Sequence, residues 1–248
     1  ELHYLMNKKF DVLTLDIQKE LAANLQYTEK GGVPPVERFM RDYFFHATNI
    51  YNFSEMIFER CRESKRSIRK VISSLQTKAL GKGFYASDSL LTIKGNAEIL
   101  FRSNKMLLLE IFKLCRDYNI DLGAGIKRQI RLHADLIDAE FLRDHRVREF
   151  LFALLGHPQS ERVLRLMHGV GVLGKILPEF GQTHCVVYYD FYHRYTADEH
   201  SLRMVRFLEE LSVDRDGGLE ELTELYAVVS QRDAGPRVAD SDGPQSAS

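Results

Sequence analysis

The strongest constraint on the fold is the spacing of apolar residues after Pro34-Pro35. Val36, Phe39, Met40, Tyr43, Ala47, Ile50, Ile57, Phe58 and Cys61 recur at near-helical intervals. Proline suits a first helical turn, where its missing N–H would have no intrahelical partner. The pattern therefore predicts one long core helix. A shorter amphipathic helix precedes it, because Leu13, Ile17, Leu21 and Leu25 recur at i, i+4 between Phe10 and Leu25 until Gly31-Gly32 breaks the run.

The same period returns further on. Leu107, Ile111, Leu114, Cys115 and Tyr118 mark a helix within Lys105–Tyr118, with Ser103 or Asn104 as its N-cap, and another begins near Gly125. Between Asp138 and Leu155, Phe141, Val147, Phe150, Leu151, Leu154 and Leu155 are helically spaced, and Gly156-His157-Pro158 supplies the stop. Arg162–His168 and Val172–Leu177 read as short helices around Gly169-Val170-Gly171, closed by Pro178, with an irregular stretch from Glu179. Thr196-Ala197-Asp198-Glu199 is a capping-box signature, and His200, Leu202, Val205, Leu208 and Leu211 continue that helix. Aromatic and β-branched residues on both sides of Asp88-Ser89, over residues 83–95, predict a small hairpin. The fold class expected is mainly α: a helical bundle with one small β-hairpin.

Composition excludes several classes of function. Thirty-four Lys plus Arg against 35 Asp plus Glu leave a formal net charge of −1 in 248 residues, without the basic excess of a nucleic-acid binder. The densest basic stretch, Arg60–Lys70, lacks interleaved aromatics and reads as a solvated helix end. Apolar runs are only a few residues long, so no membrane partner is expected. Cys61, Cys115 and Cys185 form no C-x-x-C pair and read as buried, reduced thiols of a cytoplasmic protein.

Catalytic signatures are scarce. Gly81-Lys82-Gly83 and Gly123-Ala124-Gly125 are too short for phosphate-binding loops and read as turns; no G-x-S-x-G or H-E-x-x-H occurs. Asp190, His193, Asp198, Glu199 and His200 form the densest group of ligand-type side chains, which capping and ordinary polar contacts also explain. Asp144-His145 reads the same way, and His133, His157 and His168 lie near helix ends, where imidazolium favours the terminal carbonyls.

Three segments carry a resemblance. Arg162-Val163-Leu164-Arg165-Leu166-Met167-His168, Gly171–Gly181 (GVLGKILPEFG) and Tyr189–His200 (YDFYHRYTADEH) resemble the bacterial bifunctional PII uridylyltransferase/uridylyl-removing enzymes. Glu37–Tyr43 (ERFMRDY) and the initial Glu1–Met6 (ELHYLM) are similar to the helical linker of that family, so the likeness runs from about Glu1 to about Leu211. It implies a nucleotidyltransferase domain that moves UMP from UTP to the signal protein PII, in nitrogen regulation. It also implies an HD-type phosphohydrolase domain that removes the UMP, with Mg or Mn as the metal of the complete enzyme. His200 would be the first metal-ligand histidine of the HD domain, in a helix introduced by Thr196, Asp198 and Glu199.

The chain departs from the family where chemistry is expected. It contains no G-S followed by D-x-D, and no His-Asp pair after His200. The division expected is a helical linker region over 1–180, the start of a truncated HD-like domain over 181–230, and a disordered Gly/Pro/Asp/Ser tail over 231–248. A start without Met and an abrupt tail suggest a fragment of a longer enzyme, with neither active site complete, no catalytic residue and no cofactor held tightly, serving as an interdomain scaffold. A shortened HD portion would expose Leu202, Val205 and Leu208. Two alternatives stay open: a free-standing, non-catalytic helical regulatory or binding protein, and a remnant metal-dependent phosphohydrolase built on Asp190, His193 and His200.

Overall fold

A computed structural model describes residues 2–6, 12–66, 77–87, 89–190 and 194–213, apart from the side chains of 59, 60, 62–66, 212 and 213. The described residues form twelve α-helices and one small sheet. The helices are α1 Leu2–Met6, α2 Leu15–Asn24, α3 Pro35–Arg66, α4 Ala97–Ser103, α5 Leu107–Asp117, α6 Ala124–Leu132, α7 Ala139–Arg143, α8 His145–Leu155, α9 Ser160–Gly169, α10 Leu173–Ile176, α11 Pro178–Gln182 and α12 Ala197–Val213. The strands are β1 Lys78–Gly81, β2 Phe84–Ser87, β3 Leu90–Ile93 and β4 Asp121–Leu122. The fold is mainly helical, as the periodicity predicts. None of the described helices is long and apolar enough to cross a membrane.

Two apolar clusters divide the work. The smaller joins Leu21 and Ala22 of α2 to Val36, Phe39 and Met40 of α3, with Ile17, Val187 and Tyr189 packed against it. Between these helices Gly31 and Gly32 have φ of 62° and 77°, both left-handed, and Lys30 bridges Val33. A turn with two consecutive positive φ values favours a Gly-Gly pair. Helix α3 is long, but it is a core helix only in its first turns. Beyond them, Tyr43, Phe45, Ile50, Tyr51, Phe53, Ile57 and Phe58 are exposed.

The larger cluster is built around α5. Leu107, Leu108, Leu109, Ile111, Phe112 and Cys115 are all buried there, against Phe84, Leu91, Phe101, Ile126, Ile130, Leu154, Val163 and Met167. Asn104 works just outside α5, its Oδ1 accepting from the Met106 amide at 3.1 Å. Asp88 lies outside the described residues, while the expected hairpin forms, with β2 and β3 antiparallel and Ser87 opposite Leu90. It belongs to a larger sheet than its sequence announces, because β1 pairs antiparallel with β2, and β4 pairs parallel with β3. Strand β4 is two residues long, too short for a period-2 pattern to declare it.

Other boundaries also differ from expectation. Asp138–Leu155 is two helices, because the Asp144 side chain accepts from the Arg146 amide at 2.9 Å and starts α8. Asp144 is thus a cap, and the Arg146 guanidinium holds its carboxyl down at about 2. Pro178 opens a short helix instead of an irregular stretch, consistent with proline in a first helical turn. Gly81-Lys82-Gly83 is the expected turn, while Gly123 is the N-cap of α6. Cys115 and Cys185 are buried free thiols, but Cys61 is exposed. The predicted disordered tail, and residues 67–70 of the basic stretch, lie outside the described residues, while the earlier part of that stretch ends α3.

Candidate functional site

Helices α9 and α12 run antiparallel and are tied at both ends. At the start of α9, Glu209 Oε1 accepts from the Ser160 hydroxyl at 2.6 Å and the Glu161 amide at 2.8 Å. A carboxylate there satisfies donors that the helix leaves unpaired and faces the positive end of its dipole. Further along, Arg165 pairs with Glu199 at 2.7 Å and with Glu161 at 2.7 Å, while Glu199 also accepts from Arg203 at 2.8 Å. The Glu199 carboxylate therefore serves two arginines instead of the reciprocal cap that a capping box predicts.

At the other end, His168 Nε2 lies 3.1 Å from Asp198 Oδ2, and His184 Nδ1 lies 2.8 Å from the same oxygen. The Cys185 amide donates to that oxygen at 3.3 Å, and Asp198 Oδ1 accepts from the Glu199 amide at 3.0 Å. Asp198 is only 3% exposed, so a carboxylate without such partners would be costly there. Burial pushes the Asp198 carboxyl up, yet hydrogen bonds from His168, His184, Thr196 and the Cys185 amide hold it far below the usual range. The bond to Asp198, then that to Cys185, raises His184 to about 10.

The chain delivers His184 by an unusual turn. Cys185 has φ of 57°, a left-handed conformation uncommon for a residue with a side chain, and its amide points at Asp198. The same segment is pinned on both sides: Val186 O accepts from the Ala197 amide at 2.8 Å, and the Tyr189 amide donates to Glu37 of α3 at 3.1 Å. The cluster thus sits where α3, α9 and α12 converge. A cavity of about 260 Å³ lies beside it, lined by His168, His184, Gly171, Gly174 and Gly181.

The residues singled out by sequence fare unequally. Asp198 is at the centre, but its partners His168 and His184 are distant in sequence, and His184 carries no signal of its own. His200 is exposed, and the Thr196 carbonyl accepts from its amide at 2.8 Å. His193 lies outside the described residues, and Asp190 and His200 join no three-ligand group among those that are described. His133 and His157 are structural: Nδ1 of His133 contacts Gln129 O at 2.8 Å, and Nδ1 of His157 accepts from the Gln159 amide at 3.2 Å. Leu202 is buried in the core and Val205 packs on it, contrary to the expectation of an exposed face, while Leu208 is exposed.

Among the described residues, the group whose ligand atoms all lie within 4.8 Å of one another is His168, His184 and Asp198, and His200 is not part of it.

Comparison with known proteins gives a consistent answer. The model of the uridylyltransferase GlnD third domain matches residues 84–176, and that of the GlnD PII-uridylyltransferase matches residues 1–58. A bifunctional uridylyltransferase/uridylyl-removing enzyme of Cereibacter sphaeroides is 33% identical over 217 residues, covering 85% of this chain and 23% of the relative. One from Caulobacter vibrioides is 30% identical over 223 residues, covering 86% of this chain and 24% of the relative. The chain therefore spans about a quarter of the length of these relatives. No solved structure matches. Two family models met in succession along the chain, and relatives matching most of its length, mean that it belongs to the family of bifunctional uridylyltransferase/uridylyl-removing enzymes.

Proposed function

We propose that this chain is the helical body joining the nucleotidyltransferase and HD phosphohydrolase domains of a cytoplasmic PII uridylyltransferase/uridylyl-removing enzyme. It carries neither complete active site and presents His200 to the hydrolase. UMP transfer from UTP to PII, and UMP removal, would belong to the complete enzyme, as would its Mg or Mn.

The observation that carries this reading is the locked first turn of α12. Asp198 is bonded to His168 and His184, and Glu199 to Arg165, while His200 beside them is exposed. A ligand histidine must be held in place to be useful, and these neighbours hold its backbone. The chain's match to consecutive family regions supports a connecting role.

The test begins with the chain alone, given UTP and PII, then uridylylated PII; neither transfer nor removal is expected. Next, the chain replaces its matching segment in the Cereibacter sphaeroides relative, where both activities should survive. Turnover by the isolated chain, or a folded chimera without either activity, would contradict the proposal.

A further inference from the structure

We propose that His168, His184 and Asp198 bind a zinc-type divalent cation at the junction of α3, α9 and α12. One ligand atom from each lies within 4.8 Å of the other two. Two imidazole nitrogens and a carboxylate oxygen are a zinc donor set. In a tetrahedron with bonds of about 2.0–2.1 Å, donor atoms stand roughly 3.4 Å apart. The present separations of 2.8 and 3.1 Å need open by only a few tenths of an ångström.

Several features suit an ion. Both imidazoles converge on one carboxylate oxygen, so they outline three corners of a coordination polyhedron. The cavity of about 260 Å³ that both line leaves room for water at the fourth position. Packing restrains both rings: His168 lies edge-on to Phe180 with ring centroids 5.3 Å apart and to His184 at 5.2 Å, and Cys185 Sγ lies 3.5 Å from His184 Nε2.

The site differs in composition and chemistry from one built on His200. Nitrogen-rich, low-coordinate donors favour Zn2+ or Co2+, whereas Mg2+ demands octahedral oxygen ligands. By bridging α9, α12 and the segment before α12, the ion would brace the turn that carries His200. The inference rests on this chain's own residues and does not depend on the proposed function.

The test uses the full chain stripped with chelator. Titration with Co2+, followed through its visible absorption, and competition of Zn2+ with a chromophoric chelator should each give one equivalent bound. Histidine side-chain NMR should show the His168 and His184 rings shifting with Zn2+, and none with Mg2+. His184→Gln and His168→Gln should weaken binding roughly 100-fold or more, and His200→Ala less than about twofold. Absence of Zn2+ binding to the wild-type chain would make the cluster an ion pair only and overturn the proposal, as would binding lost in His200→Ala but kept in His184→Gln. The ring shifts need no variant, so a substitution that unfolds the chain leaves the proposal testable.

Discussion

Gly181→Ala offers a sharp test of the packing that shapes the site. Helices α10 and α11 meet glycine on glycine: a methyl at position 181 would stand 2.7 Å from Gly174 O, 3.1 Å from its Cα and 3.2 Å from its C. The atoms it meets are backbone, so no side chain can rotate away. Restoring ordinary contact, at about 3.5 Å or more, requires the helices to part by nearly 1 Å. Overpacking of this kind costs about 1–3 kcal/mol, and replacing a helical glycine returns about 0.5–1 kcal/mol. The expected net loss is about 1–2 kcal/mol, a fall of about 0.5 M in the urea midpoint. Gly125→Ala is the matched control, since nothing lies within 4 Å of its added methyl. It should hold or raise stability by up to about 1 kcal/mol. The parting would also carry His184 away from His168, displacing their ring resonances. Equal midpoint shifts of the same sign for the two variants would refute the reasoning.

Other consequences follow from the same contacts. Glu209→Ala should cost about 1–2 kcal/mol in urea unfolding, because it strips the carboxylate cap from α9 and leaves the buried Ser160 hydroxyl without that acceptor. Phe112→Ala, at 0% exposure in the larger core, should cost about 3–5 kcal/mol by the same assay. In the folded chain a thiol reagent should modify exposed Cys61 and leave Cys115, whose thiol burial pushes up to about 12, until denaturant is added. Asp144 should titrate by NMR at about 2, below its ordinary 3.8. A carboxylate lowered on folding stabilises above its unfolded pKa, so its cap on α8 should persist at mild acidity and fade only as pH falls through about 2.

Much of the fold was legible because it depends on local signals. The i, i+4 stripes of α2 and α5, the hairpin residues and the Gly31-Gly32 turn each act over a few positions, and each formed. What escaped the sequence is tertiary. The exposed length of α3 follows from which neighbours cover it, and periodicity alone cannot say. Strand β4 exists because Leu91 and Leu122 find each other across 31 positions of sequence. The site shows the same limit. Asp198 and His200 were visible as a cluster near a cap, but His168 and His184 become partners of Asp198 only through the antiparallel packing of α9 and α12 and the left-handed turn at Cys185. Glu199 looked like a capping residue, yet charged guanidinium groups brought by folding claim its carboxylate.

The most direct test of the connecting role is the rate of UMP release from uridylylated PII by the chimeric enzyme carrying this chain, with and without His200→Ala. The account predicts that the substitution abolishes release while UMP transfer from UTP continues at its original rate. Release undiminished in the His200→Ala chimera would contradict it.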